Sequence, residues 1–145
     1  MTTINQSITV PYTPQEMFEL VDTVEQYADF LPWCSSADIL SRTEDAVSAK
    51  LNIQAKGVTQ SFSTTNHRKP YQQIDMHLLE GPFRSLEGCW RFLPEANEQC
   101  QIDFNLTFEF SNRLIGMALG RVFHHAISKM IDAFYQRAKE IYGQR

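Results

Sequence analysis

The chain has 145 residues, 43% of them hydrophobic and 21% charged, which is one domain's worth of ordinary globular composition. That excludes a disordered chain, a collagen-like repeat and a coiled coil. The formal net charge of −4 argues against non-specific binding to nucleic acid or to an anionic membrane as the main activity, while leaving room for a local basic patch.

Residues 3–10 alternate, with Ile4, Ile8 and Val10 on one side, and predict a half-buried strand closed by Pro11. Thr13-Pro14-Gln15-Glu16 then carries a helix start: a capping box with proline at the first helical position. Tyr12 and Met17 are spaced for a hydrophobic staple. A second box, Thr23-x-x-Gln26, predicts a second short helix that Leu31-Pro32 ends.

Strands are expected at 47–55, 58–67, 72–79, 84–93 and 100–110, separated by Gly57, Pro70, Gly81-Pro82 and the 94–98 turn. The last is the clearest: every even position from Cys100 to Phe110 is apolar and every odd one is polar. Residues 113–142 read as one long helix, capped by Asn112 and ended by Gly143, with a stripe from Leu119 to Ile141. At 1.5 Å per residue it would be roughly 45 Å long, enough to cross a curved sheet. The expected architecture is α+β: one domain over 1–145, with a curved antiparallel sheet of six to seven strands around a C-terminal helix.

The usual chemical signatures are missing. No Gly-rich phosphate loop or HExxH pattern occurs, and His67 and His77 fall on polar strand positions. Neighbouring residues on a helix diverge by ~100°, so His124 and His125 cannot share a metal. Cys34, Cys89 and Cys100 are odd in number and lack CxxC spacing, which favours reduced thiols. Opposite parity keeps Cys89 and Cys100 from pairing across their hairpin. No catalytic residue, metal or cofactor is expected. Residues 2–10 do not form a signal peptide, and the apolar run Leu114–Gly120 falls well short of the ~20 residues of a membrane span. A cytoplasmic protein beginning at Met1 is expected, with transient contact at the inner membrane as the alternative.

The informative feature is the aromatic content of 12%, with ten Phe, five Tyr and two Trp. Parity sends most of these rings to one side. They either fill a solid core or line an apolar ligand site. The expected lining is Phe30, Leu31, Trp33, Phe62, Leu78, Phe83, Leu86, Trp90, Phe92, Phe104, Phe108, Leu119, Phe123 and Ile127. Gln60, Thr64 and Arg84 share inward parity and are the candidates for holding a polar head group. Gly116 and Gly120 weaken the first turns of the long helix, for close packing on the sheet or for a gate.

Several blocks carry a family resemblance. Tyr27-Ala28-Asp29-Phe30-Leu31-Pro32-Trp33-Cys34 resembles the YxxFLPWC signature of the coenzyme Q-binding START-like family of the polyketide cyclase and lipid transport group. Leu79-Glu80-Gly81-Pro82-Phe83, Leu86-x-Gly88-x-Trp90-x-Phe92, Phe108-Glu109-Phe110-x-Asn112 and Met130-x-Asp132-Ala133-Phe134-x-x-Arg137-Ala138 match its later blocks. The resemblance implies a helix-grip fold and an apolar tunnel for ubiquinone or a similar polyprenyl lipid in support of respiration. The family's bacterial members include a ribosome association toxin. The resemblance therefore also implies an alternative partner, the large ribosomal subunit, with basic residues at His67-Arg68-Lys69, Arg113, Arg121, Arg137 and Lys139 as candidates. A polyketide cyclase-like enzyme is the third reading. It lacks an inward acid–base pair.

Overall fold

Alternating apolar and polar side chains draw most of this chain into strands, and a computed structural model describes residues 1–55 and 57–145. The strands are β1 (Thr2–Val10), β2 (Cys34–Arg42), β3 (Ala46–Ala55), β4 (Val58–Lys69), β5 (Gln73–Glu80), β6 (Phe83–Glu95) and β7 (Gln99–Phe110). They form one antiparallel sheet in the order β1-β7-β6-β5-β4-β3-β2. β2 to β7 run as a meander, and β1 returns to pair with β7 from Thr2↔Phe108 to Val10↔Cys100. The helices are α1 (Pro14–Asp22), α2 (Arg113–Ser128) and α3 (Met130–Tyr142), with a 3-10 segment at Val24–Asp29. This is the helix-grip arrangement: a bent sheet holding C-terminal helices against its concave face.

Local chemistry explains the helix starts. Thr13 Oγ1 accepts from the Glu16 amide, while the Glu16 carboxylate accepts from the Thr13 amide at 2.9 Å. Tyr12 and Met17 are both fully buried beside it. Asn112 Oδ1 accepts from the Ile115 amide at 2.9 Å and opens α2. Gly143 takes φ 82°, the left-handed conformation that favours glycine, and ends α3.

Three sequence expectations change. The second capping box does not form. Thr23 Oγ1 instead donates back to the Glu19 carbonyl at 2.7 Å, and the following turn is 3-10 rather than α. β2 is a strand that periodicity did not reveal. Bulges at Cys34/Ser36 and Ile39/Ser41 shift its alternation twice.

The C-terminal helix is two segments, not one. At the break, Lys129 takes φ −100° and ψ 1°, and its amide reaches Ala126 rather than the carbonyl one residue earlier in the ladder. The Ser128 carbonyl there accepts from Gln6 Nε2 of β1 at 2.8 Å, while Ser128 Oγ donates to the His125 carbonyl. Side chains that engage the backbone of the helix in this way are a recognised cause of breaks.

Candidate apolar site

The concave face collects the even-numbered residues of β4 to β7 and the buried faces of α2 and α3. Their rings pack as two clusters. In one, Phe123 of α2 meets Phe108 at 4.8 Å, Phe83 at 5.0 Å and Phe62 at 6.1 Å between ring centroids. In the other, Phe134 of α3 meets Phe30 at 5.2 Å, Trp90 at 5.3 Å and Tyr27 at 5.4 Å. Most pairs are edge-to-face, the arrangement that ring quadrupoles favour.

A cavity of about 50 Å³ remains between the two clusters. Of the expected lining residues, Trp33, Phe62, Leu86, Trp90, Phe104, Phe123 and Ile127 border it. The other seven do not. Phe83 and Leu119 border a separate crevice of about 10 Å³ beneath α2. Phe108 packs on Phe83 and Phe123, and Phe92 packs on Phe18 of α1. Leu31 is fully buried beside the 3-10 segment. Phe30 lies half-buried under the Arg137 guanidinium. Leu78 is half-buried where β4 and β5 shift register.

The expected lining left out Val24, Tyr27, Ala49, Leu51, Asn66, Met76, Leu106, Met130 and Phe134, which also form the wall, although alternation had put Ala49, Leu51, Met76 and Leu106 on the inward side. Asn66 and Met76 share parity with residues that were found. Val24 and Tyr27 come from a 3-10 turn, which strand alternation says nothing about.

Among the head-group candidates only Thr64 faces the cavity. Its hydroxyl donates to Asn66 Oδ1 at 2.9 Å, and this buried pair is the main polar feature of an otherwise apolar wall. Gln60 is exposed near the β3–β4 turn. Arg84 also points outward and meets Glu109 at 3.3 Å. The register shift between Phe83 and Ser85 reverses the parity that had placed it inside.

Residues 10–135 match the family described as polyketide cyclase/dehydrase and lipid transport. The chain belongs to this family. It is 41% identical over 145 residues to the ribosome association toxin RatA of Escherichia coli K12, covering all of this chain and 92% of that protein. It is 27% identical to the mitochondrial coenzyme Q-binding protein COQ10 homolog B of Xenopus laevis, covering 97% of this chain and 59% of the relative. The Zhui aromatase/cyclase of Streptomyces sp. R1128 superposes with a TM-score of 0.84 over 99% of both chains at 18% identity, a likeness of fold.

Within this family fold, the ionisable groups do not converge on the cavity. Among the described residues, its one titratable lining group is Tyr27. The Tyr27 hydroxyl donates to the Val21 carbonyl, and burial pushes its pKa far above the usual phenol value. The three cysteines are free and buried. Burial raises Cys34 and Cys89 to about 11 and Cys100 to about 12, so the reactive thiolate is scarce at neutral pH. All four histidines are exposed, with His67 and His77 packed edge-to-face at 5.5 Å between ring centroids on the outer face.

The basic candidates divide in two. Arg68 is held by Asp22 through a fork at 2.6 and 2.7 Å, and Arg137 contacts Glu140 and Phe30. Lys139 sits over the Tyr135 ring. Arg113 and Arg121 make no ion pair among the described residues.

Proposed function

We propose that this protein binds the large ribosomal subunit and hinders its joining to the small one, without catalysing a reaction. The observation that carries this reading is the 41% identity to RatA along the full chain. The interior supports it. A cavity of about 50 Å³ is far below the ~300–1,000 Å³ of sites that enclose a small molecule. A wall with Tyr27 as its titratable group offers no acid–base pair for cyclase chemistry.

The test adds purified protein to dissociated subunits and restores association conditions. In a sucrose gradient the 70S peak should shrink with rising protein, and the protein should migrate with free large subunits. An unchanged 70S peak at excess protein, with the protein left at the top of the gradient, overturns the proposal.

A second reading is favoured by the Thr64–Asn66 pair in an apolar wall: a quinone or other polyprenyl lipid whose head group takes the amide. It requires the cavity to enlarge on binding, with α2 as the element that moves. Solvent extraction of the purified protein followed by lipid mass spectrometry, with added ubiquinone as a second arm, decides it. Protein that is empty and takes up no quinone excludes this reading.

A further inference from the structure

We propose that the outer face of α2 docks on an anionic lipid surface. This is independent of the ribosome reading and uses residues outside the interior cavity.

In a helix, residues 114, 117, 118, 121 and 125 share one face, opposite Leu119, Phe123, Ala126 and Ile127. The second set is buried and the first faces out. Leu114 is 77% exposed and Met117 is 76% exposed, the most exposed large apolar side chains after Met1. Ala118 is exposed beside them. An apolar tip at the start of a helix, with nothing packed on it, is costly in water and useful at an interface.

Charge identifies the partner. The whole chain has 17 acidic residues against 13 Lys and Arg. Yet residues 110–131 contain Arg113, Arg121 and Lys129, with His124 and His125, and no Asp or Glu. No ion pair among the described residues uses any of these three cations. Arg113 and Arg121 flank the Leu114–Met117 tip, so their aliphatic stems can lie along lipid while the guanidinium groups reach phosphate.

Glu80 and Glu109 lie at the same end of the sheet, and Glu109 is engaged by Arg84. The apolar surface continues behind the helix as a groove of about 240 Å³, with Pro32, Trp33, Ala55 and Val122 in its wall and His125 and Lys129 among its lining residues. Apolar tips flanked by unpaired cations describe a helix that lies in a membrane interface. An RNA partner would use the cations and leave Leu114 and Met117 without a role.

The experiment uses the full chain and vesicles of phosphatidylcholine, with or without 30% phosphatidylglycerol (about one anionic lipid in three). Flotation should carry the protein with the anionic vesicles and leave it behind with phosphatidylcholine alone. Each neutralised cation should weaken binding about five-fold, so Arg113→Gln/Arg121→Gln should lose about 25-fold. Leu114→Glu/Met117→Glu should abolish flotation with an unchanged melting temperature. Leu40→Glu, on the far edge strand, is the control and should bind normally. Absence of flotation with anionic vesicles overturns the proposal, as does flotation undiminished in the α2 variants. So does a wild type that ignores vesicles but whose α2 variants lose ribosomal subunits, which would assign the face to the ribosome. No ribosome is present in the vesicle arms, so their failure is separate from failure of the subunit-joining test.

Discussion

Gly88 and Gly120 place opposite demands on a side chain. A Cβ at Gly88 would lie 2.6 Å from Met76 Cε, 2.9 Å from Leu106 Cδ1 and 3.1 Å from the Asn105 carbonyl. A Cβ at Gly120 would meet nothing within 4 Å. Gly88→Ala should therefore destabilise by about 1–3 kcal/mol through overpacking. Gly120→Ala should stabilise by about 1 kcal/mol, because it only removes the helix cost of glycine. Urea denaturation of both variants checks the contrast. The open space also removes close packing as the reason for Gly120.

The Thr64–Asn66 pair is tested by a mutant cycle. Thr64→Val leaves Asn66 Oδ1 without its donor and should cost about 1–3 kcal/mol, whereas the double variant with Asn66→Leu should be nearly neutral. At this scale parity read Thr64 correctly as inward. It misread Arg84 because that residue sits in the bulge between Phe83 and Ser85, so the inward parity of Leu86, Trp90 and Phe92 does not extend back to it.

At the scale of elements, α1 shows how local signals and distant contacts combine. Its capping box was legible in Thr13 and Glu16. Sequence did not show that Arg145 reaches the same carboxylate at 2.6 and 2.8 Å. The Arg145 hydrogen bonds are the largest cause holding the Glu16 carboxyl below its ordinary value. A lowered folded pKa means that this stabilisation is complete above the unfolded value of about 4.3 and is lost as pH falls through the folded one. Glu16→Gln should flatten that part of the acid limb in denaturation curves taken from about pH 6 to pH 2. A slope identical to wild type would show that the carboxylate gains nothing from its partner. Thr23 carried the same box spacing, without the proline and the staple, and did not cap, because its hydroxyl found the Glu19 carbonyl one turn back. The break at Ser128 was illegible for a related reason: Gln6, which grips it, lies 122 residues away.

For the whole molecule, the question posed by the aromatic surplus has a mixed answer. The rings make two packed clusters, and the gap between them is small. The N-terminal half of α2 is the weakly held part of this shell, since Leu114, Met117 and Ala118 face out and Gly120 has open space around it. Amide exchange should accordingly be faster at 114–120 than in β7, whose amides lie between β1 and β6. Equal protection in the two segments would show that α2 is not a local opening unit. Its low stability would serve either reading of function, as a flap over the cavity or as a face free to meet a partner.

The strands that alternate cleanly, the capped helix starts and the concave aromatic face followed from the sequence alone, because each depends on neighbours within a few positions. The family blocks were legible for the same reason. Tertiary structure decided the rest: the strand hidden by two bulges, the break that Gln6 imposes, the outward turn of Arg84, and the size of the cavity. Those depend on register shifts and on side chains meeting across the sheet. A pattern of apolar and polar residues records which way a side chain faces, but not how completely its neighbours fill the space in front of it.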